Sequence, residues 1–223
     1  MFEDRTQAGR RLADALGEFA DRRNLLVLGL PRGGVPVAAE VASTLKAPLD
    51  VLIVRKVGLP WQKELAIAAV ASGGARAFNR DALEQVDLPA EELNELVQAQ
   101  LDEVRKRERL FRGDRPFAQV KNKIVILVDD GLATGSTMRA AIRALRPQEP
   151  AQIVVAVPVA PPTTCRALEA EADKVVCLEE PESFMAIGLY YHDFRQVADE
   201  EVRRLLARSD RSHKSFAARH RAE

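Results

Sequence analysis

Apolar and amphipathic stretches alternate along the chain, and this alternation predicts repeated strand–helix units. Short continuous apolar runs fit strands that are buried on both faces of a parallel sheet. Such runs cover residues 25–30, 48–54, 65–72, 123–128, 151–157 and 174–178. Helical spacing is found in residues 5–21, 35–45, 137–145, 162–172 and 198–207. We therefore expect an α/β fold, a mainly parallel open sheet with helices on both faces.

A longer amphipathic segment interrupts this alternation in the middle of the chain. Leu93, Val97, Leu101 and Val104 form one apolar stripe at helical spacing, which predicts a helix over residues 90–111. Its acidic start and basic end suit the helix dipole. We interpret residues 79–115 as a helical insertion whose role the sequence leaves open, a dimer contact being one candidate.

Composition excludes some classes of partner. The 223 residues carry 33 basic and 33 acidic side chains, so no global basic field favours non-specific nucleic-acid binding. We expect one domain over residues 1–223, with a basic tail at 209–223 that is loosely ordered. No apolar run approaches membrane-spanning length and no signal peptide is recognisable, which predicts a soluble cytoplasmic protein without a membrane partner.

The two cysteines suggest no special chemistry at the level of sequence. Cys165 and Cys177 form no disulfide framework, and their spacing is not that of a known metal site. Cys177 lies in an apolar run and is expected in the core.

The most informative motif is the segment 124–137, where an apolar strand runs into two adjacent carboxylates and a loop of small residues. Asp129 and Asp130 are followed by Gly131, Ala133, Thr134, Gly135, Ser136 and Thr137. Carboxylates can accept hydrogen bonds from a ribose diol. Backbone N–H groups, hydroxyls and a helix N-terminus suit a phosphate.

Rival interpretations of this motif explain less. A Walker P-loop needs a lysine after its second glycine, but Ser136 follows Gly135. A Rossmann fingerprint needs three glycines at G-x-G-x-x-G spacing, and the loop has two. An ordinary strand–turn–helix with an acidic helix cap accounts for one aspartate and one glycine, but not for two acids and three hydroxyls on one loop.

The segment resembles the phosphoribosyl-pyrophosphate (PRPP) signature of type I phosphoribosyltransferases. That signature is four hydrophobic residues, two acids, a short variable stretch and Thr-Gly-[Gly/Ser]-Thr. The resemblance implies the type I phosphoribosyltransferase fold and transfer of the 5-phosphoribosyl group from PRPP to a nitrogen of an acceptor, with release of pyrophosphate. It also implies that Asp129 and Asp130 are catalytic and hold the ribose, and that residues 131 and 133–137 bind the 5′-phosphate. The implied cofactor is Mg²⁺, bound through substrate phosphates without dedicated protein ligands.

A second phosphate-binding loop is implied at the end of the first predicted strand. Arg32, Gly33 and Gly34 match the place where the family holds pyrophosphate, although an ordinary strand-to-helix turn is the alternative. Family members often have a non-proline cis peptide there, which we expect at Arg32–Gly33. Arg55 and Lys56 would add positive charge from the next strand end.

Two further regions take their interpretation from the resemblance. Residues 55–64 are expected to be a loop, in which Gly58 and Lys63 belong to the mobile catalytic loop of the family. Residues 179–197 match the hood that grips the acceptor, and Gly-x-Tyr-Tyr-x-Asp-Phe resembles the hoods of purine-using members. Phe184 and Tyr190 are candidates to stack on a planar base, the alternative being a small aromatic core that pins the last helix.

Three classes of function stay open at this point. The first is a phosphoribosyltransferase acting on a purine-like base in nucleotide salvage, expected to be a homodimer. The second is a PRPP-sensing regulator without turnover, for which the basic tail is a weak nucleic-acid-binding candidate. The third is a structural protein on the same fold. The acceptor cannot be identified from the sequence.

Overall fold

The structure is a computed structural model, which describes residues 1–86 and 88–219 and gives only the backbone for residues 62–65 and 212–219. Its α-helices are α1 Arg5–Ala15, α2 Gly34–Thr44, α3 Arg80–Glu84, α4 Ala90–Arg112, α5 Ser136–Leu145, α6 Pro162–Glu169 and α7 Asp199–Arg219. Its strands are β1 Leu25–Gly29, β2 Leu49–Val51, β3 Val54–Leu59, β4 Gln62–Ala71, β5 Ala75–Phe78, β6 Ile124–Val128, β7 Gln152–Val159 and β8 Lys174–Glu179.

A parallel sheet with the order β2-β1-β6-β7-β8 forms the centre of the described residues. The α/β prediction with a mainly parallel sheet is therefore confirmed. From β1 the chain moves outward to β2, returns to β6 on the other side of β1, and continues outward to β8. This reversal places a crevice beyond the carboxyl ends of β1 and β6, where open α/β sheets bind ligands.

Helices cover both faces of this sheet, as alternate residues of β1 show. Leu25 and Val27 belong to an apolar core shared with α1, α2 and α7. Leu26 and Leu28 belong to a second core shared with α5 and α6. Burial on both sides explains why β1 is apolar at consecutive positions rather than at every second one.

A second, antiparallel sheet corrects two predictions. Residues 55–64, expected to be a loop, form most of a β-hairpin in which β3 pairs with β4, and β4 pairs with β5. The expected strand at 48–54 is shorter, because Val54 begins β3. Val57 and Leu59 bury the hydrophobic side of β3, while Arg55 and Lys56 in the same strand obscured its pattern in the sequence.

The insertion packs against this second sheet. The helix predicted over 90–111 is α4, and Val97, Leu101 and Val104 of its stripe are buried in the first core, with Leu93 partly buried against it. Acidic residues in its first turn and arginines in its last turn agree with the expected dipole.

Arg112 fastens the end of α4 to the main sheet. Its Nη2 donates to Glu108 Oε1 at 2.7 Å and to Ser72 Oγ at 3.1 Å. Its Nε lies 3.5 Å from Oδ1 of Asp50 in β2, and both side chains of this ion pair are buried. Its guanidinium also lies over the ring of Phe117, 5.1 Å from the centroid. The insertion is thus an integral part of the packed structure.

The chain ends differ from the prediction. The first helix ends at Ala15 rather than near residue 21. The tail expected to be loose from residue 209 continues α7 to Arg219, and residues 220–223 lie outside the described part of the chain. Among the described residues, none of the helices combines the length and apolar character required to traverse a bilayer.

Candidate active site

Two loops meet at the crevice beyond β1 and β6, and glycines allow their close approach. The Leu30 N–H donates to the carbonyl of Val128 at 2.9 Å. A Cβ on Gly34 would lie 2.6 Å from that same carbonyl oxygen, and a Cβ on Gly33 would lie 2.0 Å from Oδ2 of Asp130. The signature loop and the predicted pyrophosphate loop are therefore in direct contact.

Gly33→Ala is expected to lower PRPP affinity about tenfold, equivalent to about 1.4 kcal/mol. The added methyl group forces either the Asp130 carboxylate or the loop after β1 out of position. Calorimetric titration with PRPP and Mg²⁺ measures the effect. Gly17→Ala is the matched control, because a Cβ there meets nothing within 4 Å. Equal affinities for the parent and Gly33→Ala proteins would contradict the packing argument.

The two acids of the signature lie side by side at the end of β6. Asp129 is half-buried and its Oδ1 accepts a hydrogen bond from the Asp130 N–H at 2.9 Å. Burial and the neighbouring carboxylate raise the pKa of Asp129 well above its usual range. Burial raises the pKa of Asp130 as well, although the positive charge of Arg5 opposes the change. The pair is thus a concentrated acceptor of hydrogen bonds that is costly to ionise fully.

Arg5 is a site residue that the sequence analysis missed. Its Nε and Nη2 lie 2.8 and 2.7 Å from Oδ2 of Asp130. Its Nη1 donates to the carbonyl of Arg195 at 2.8 Å, and its guanidinium lies 3.9 Å from the centroid of the Phe194 ring. One side chain therefore joins α1, the second acid and the region predicted as the hood. No motif marks an arginine 125 positions before its partner.

Replacing each acid separately is expected to change stability in opposite directions. Asp129→Asn removes a charge that partial burial and the Asp130 carboxylate disfavour, so the free energy of unfolding at pH 7 should rise by about 1 kcal/mol. Asp130→Asn leaves the nearly buried Arg5 without its carboxylate and should cost about 1–3 kcal/mol. Urea unfolding in the absence of PRPP measures both values.

The pH dependence of the Asp129→Asn effect has a definite sign. The pKa of Asp129 is higher in the folded state than its usual value of 3.8, so the folded state binds the proton more tightly. Stability of the parent protein therefore falls as pH rises through the folded pKa. The advantage of Asp129→Asn should shrink as pH is lowered towards 4. A constant difference, or changes of the same sign in both variants, would contradict this assignment.

The loop after the acids presents polar groups to solvent. Thr134, Ser136 and Thr137 are exposed at the N-terminus of α5, together with Ala133. Gly135 has φ +66°, a left-handed conformation that favours glycine, and it precedes the helix. The structure thus brings the hydroxyls to a helix N-terminus, an arrangement that favours anions.

Two other side chains hold this loop from outside. Thr164 of α6 donates from Oγ1 to the carbonyl of Ala133 at 2.7 Å, and its methyl group would meet a Cβ on Gly135 at 2.8 Å. Gly131, at φ +153°, would bring a Cβ to 2.6 Å from Cγ2 of Ile187 in the hood region. The signature therefore packs between α6 and the hood.

Arg55 and Lys56, predicted at the next strand end for pyrophosphate, lie instead within β3 of the second sheet. Lys56 Nζ lies 3.5 Å from Ser136 Oγ. Arg55 donates to Gln100 Oε1 at 2.8 Å and lines a cleft of about 50 Å³ with Pro31, Thr137 and Arg107. Arg107, from the insertion, was not predicted.

Arg32 points elsewhere, since its Nη1 lies 3.7 Å from Oδ1 of Asp199 in α7. The cis peptide bond of this loop is Pro31–Arg32, one bond earlier than the expected Arg32–Gly33.

The hood region contacts the acids through a neighbouring aromatic residue. Phe184 and Tyr190, the predicted acceptor residues, stack on each other with centroids 5.6 Å apart. Tyr191 donates from its hydroxyl to the Asp130 carbonyl at 2.6 Å and packs against Phe2 and Phe194. The rings of Phe2, Tyr191 and Phe194 therefore join the hood to the N-terminus. The alternative interpretation expected an aromatic core that pins the last helix instead.

The predicted mobile loop, Gly58 to Lys63, falls on the end of β3, the turn and the start of β4. Gly58 lies in β3 beside a shift in the strand register, and Trp61 at the turn is 64% exposed. Lys63 falls on β4, but its side chain lies outside the described residues.

Comparison with known proteins places this site in a family. The model of the phosphoribosyl transferase domain matches residues 3–195, which include both loops at the crevice, the insertion and all but the last two residues of the hood region. The chain belongs to the phosphoribosyl transferase domain family.

Similar proteins carry the same description. Two Mycobacterium tuberculosis proteins, each named "Putative phosphoribosyl transferase", are 43% identical over 217 residues, or 97% of this chain. The chain spans about half the length of these relatives, since the match covers 48% of each. The crystal structure of TT1426 from Thermus thermophilus is 45% identical and covers 92% of this chain and 97% of its own, with a TM-score of 0.83. The recognition of a type I phosphoribosyltransferase fold from the signature is therefore confirmed.

Proposed function

We propose that this phosphoribosyl transferase domain transfers the 5-phosphoribosyl group from PRPP to a ring nitrogen of a purine-like base and releases pyrophosphate. The observation that carries the proposal is the crevice at the end of β1 and β6. There, paired carboxylates, exposed hydroxyls at a helix N-terminus and a glycine loop adjoin one another. These groups match the diol, the 5′-phosphate and the pyrophosphate of one PRPP molecule.

The proposed chemistry needs no protein nucleophile. Displacement of pyrophosphate at the anomeric carbon passes through a cationic, oxocarbenium-like sugar, so catalysis depends on positioning and electrostatics. Asp129 and Asp130 accept hydrogen bonds from the ribose hydroxyls, and their negative charge favours the cationic ring. Arg5 fixes Oδ2 of Asp130 and thereby limits which carboxylate oxygen is available to the sugar.

The donor set around the crevice fits magnesium. Residues 30–34 and 129–137 contain neither cysteine nor histidine and offer the carboxylate and hydroxyl oxygens that Mg²⁺ prefers. When bound through the pyrophosphate oxygens, the ion would neutralise charge on the leaving group. Lys56, Arg55 and Arg107 would add positive charge from β3 and the insertion.

The hood region supports a planar acceptor. Tyr190 directly precedes Tyr191, whose hydroxyl holds the Asp130 carbonyl, so the Phe184–Tyr190 pair lies on a segment tied to the acids. Stacking on such rings suits a heterocyclic base. Homodimer formation, a role in purine salvage and a cytoplasmic location stay predictions.

Pyrophosphate release tests the proposed reaction. The protein is incubated with PRPP, Mg²⁺ and single purine or pyrimidine bases, and the products are identified by mass spectrometry. We expect pyrophosphate and the matching mononucleotide with at least one purine-like base. PRPP binding without turnover on any base would instead favour a PRPP-sensing regulator. Absence of PRPP binding would contradict the whole proposal.

Tyr190→Leu and Phe184→Leu are expected to raise the KM for the base about fivefold with little change in the KM for PRPP. Loss of one aromatic stacking partner costs about 1 kcal/mol. Leu189→Ala is the matched control, since Leu189 is a neighbouring side chain that is 59% exposed. Steady-state kinetics with each substrate varied in turn separates the two constants. A parallel rise in both would indicate a structural role for the aromatic pair.

A further inference from the structure

Two thiols and a carboxylate meet at the outer edge of the main sheet. Cys165 lies on α6, Cys177 on β8 and Glu180 immediately after β8. Their ligand atoms, two sulfurs and a carboxylate oxygen, all lie within 4.8 Å of one another. Cys165 is buried, Cys177 is half-buried and Glu180 is exposed, so the cluster opens to solvent on one side.

We propose that Cys165, Cys177 and Glu180 form a site for Zn²⁺. Zinc binds thiolate sulfur at about 2.3 Å and carboxylate oxygen at about 2.0–2.2 Å, which separates tetrahedral ligands by about 3.5–4 Å. The ligand atoms lie within 4.8 Å of one another, so zinc binding requires them to draw together by at most about 1 Å. The fourth position stays open for water or another ligand.

The donor atoms decide between metals. Thiolates are soft ligands that favour zinc over Mg²⁺ or Ca²⁺, which prefer oxygen alone. The site is therefore chemically separate from any magnesium that accompanies PRPP. It escapes detection in the sequence because eleven residues separate the cysteines, and only the crossing of α6 and β8 brings them together.

The position of the cluster gives zinc a structural consequence. Thr164, next to Cys165, holds the carbonyl of Ala133 in the signature loop. A metal that fixes α6 against β8 would therefore stiffen the support of that loop. Because zinc binds the folded arrangement of three separate ligands, it should also raise the melting temperature.

Cobalt substitution tests the site directly. The full chain is stripped with a chelator, kept reduced with a non-thiol reductant and titrated with Co²⁺ alone. We expect a thiolate-to-cobalt charge-transfer band that saturates at one equivalent and disappears when Zn²⁺, the tighter-binding ion, is added. Zinc added to the stripped protein should raise the melting temperature.

Variants assign the band to these ligands. Cys177→Ser should abolish it. Glu180→Gln, at an exposed position that folding tolerates, should weaken cobalt binding at least tenfold, since even losing an outer partner of a metal ligand costs about 10- to 100-fold. Glu182→Gln, an exposed acid two residues further on, is the matched control and should bind as the parent does.

Three outcomes would overturn the proposal. These are absence of the band in reduced protein, a band that persists in Cys177→Ser, and equal affinities for the Glu180→Gln and Glu182→Gln proteins. If reduced protein binds no cobalt and oxidised protein loses two hydrogens by mass, the cysteines form a disulfide pair instead.

Discussion

Replacing both Asp129 and Asp130 with asparagine is expected to lower PRPP affinity about 100-fold while the fold is retained. Hydrogen bonds to a charged acceptor contribute about 1.5–3 kcal/mol each, and the sugar diol would lose two of them. A loss of about 3 kcal/mol corresponds to about two powers of ten in the dissociation constant. Calorimetric titration with PRPP and Mg²⁺ measures the change, and circular dichroism checks that the protein remains folded.

A control variant and a second ligand show whether the loss of affinity comes from the sugar contacts of the two acids. Asp114→Asn removes an exposed carboxylate beyond the end of α4 and should leave PRPP affinity unchanged. Free pyrophosphate with Mg²⁺ lacks the sugar, so the double variant should lose far less affinity for it than for PRPP. Similar losses for both ligands would show that the acids do not act on the ribose.

Arg112→Met is expected to lower the free energy of unfolding by about 3–5 kcal/mol, the usual cost of removing one partner from a buried ion pair. Methionine keeps the apolar stem but leaves the Asp50 carboxylate buried without its cation. Burial already raises the pKa of Asp50, and Arg112 is the main charge that opposes this effect. Urea unfolding at pH 7 measures the loss.

Two comparisons make the Arg112 result interpretable. Arg109→Met, at an exposed position one helical turn earlier, should change stability by less than about 0.5 kcal/mol. In Arg112→Met the folded pKa of Asp50 rises further above 3.8, so part of the lost stability should return as pH falls towards 5. A loss below about 1 kcal/mol would mean that this ion pair does not anchor the insertion.

The sequence predicted those parts of the fold that depend on the local pattern of apolar and polar residues. The buried strands β1, β6 and β7 have continuous apolar runs and the helix α4 has an apolar stripe, so their positions were predicted within a few residues. The strand predicted at residues 65–72 is confirmed as most of β4, but its partner β3 was missed because Arg55, Lys56 and Gly58 break the apolar pattern. Only packing against α4 reveals that Val57 and Leu59 face a core. The extension of α7 was missed because its last part is polar and basic.

The residues of the candidate site also fall into two groups, those that the sequence locates and those that only the structure reveals. Asp129, Asp130 and the hydroxyl loop form one contiguous motif, so the sequence locates them, and their roles stay predictions until PRPP binding is measured. Arg5, Thr164 and Arg107 come from three distant segments and carry no motif, and the run that contains Tyr191 gives no sign of its contact with Asp130. Their convergence on the crevice is a product of tertiary packing, which one sequence cannot show. The same reason hid the contact between Cys165 and Cys177.

The hydrogen bonds from Arg5 to Asp130 and Arg195 affect how the protein folds while it is synthesised on the ribosome. The first helix leaves the exit tunnel early, but its arginine cannot complete its contacts until residue 195 has also emerged, since Asp130 supplies only some of them. Nascent chains fold from the N-terminal side as they are synthesised. A truncated translation product that stops before the hood would therefore carry the whole signature motif and yet present an unfinished pocket.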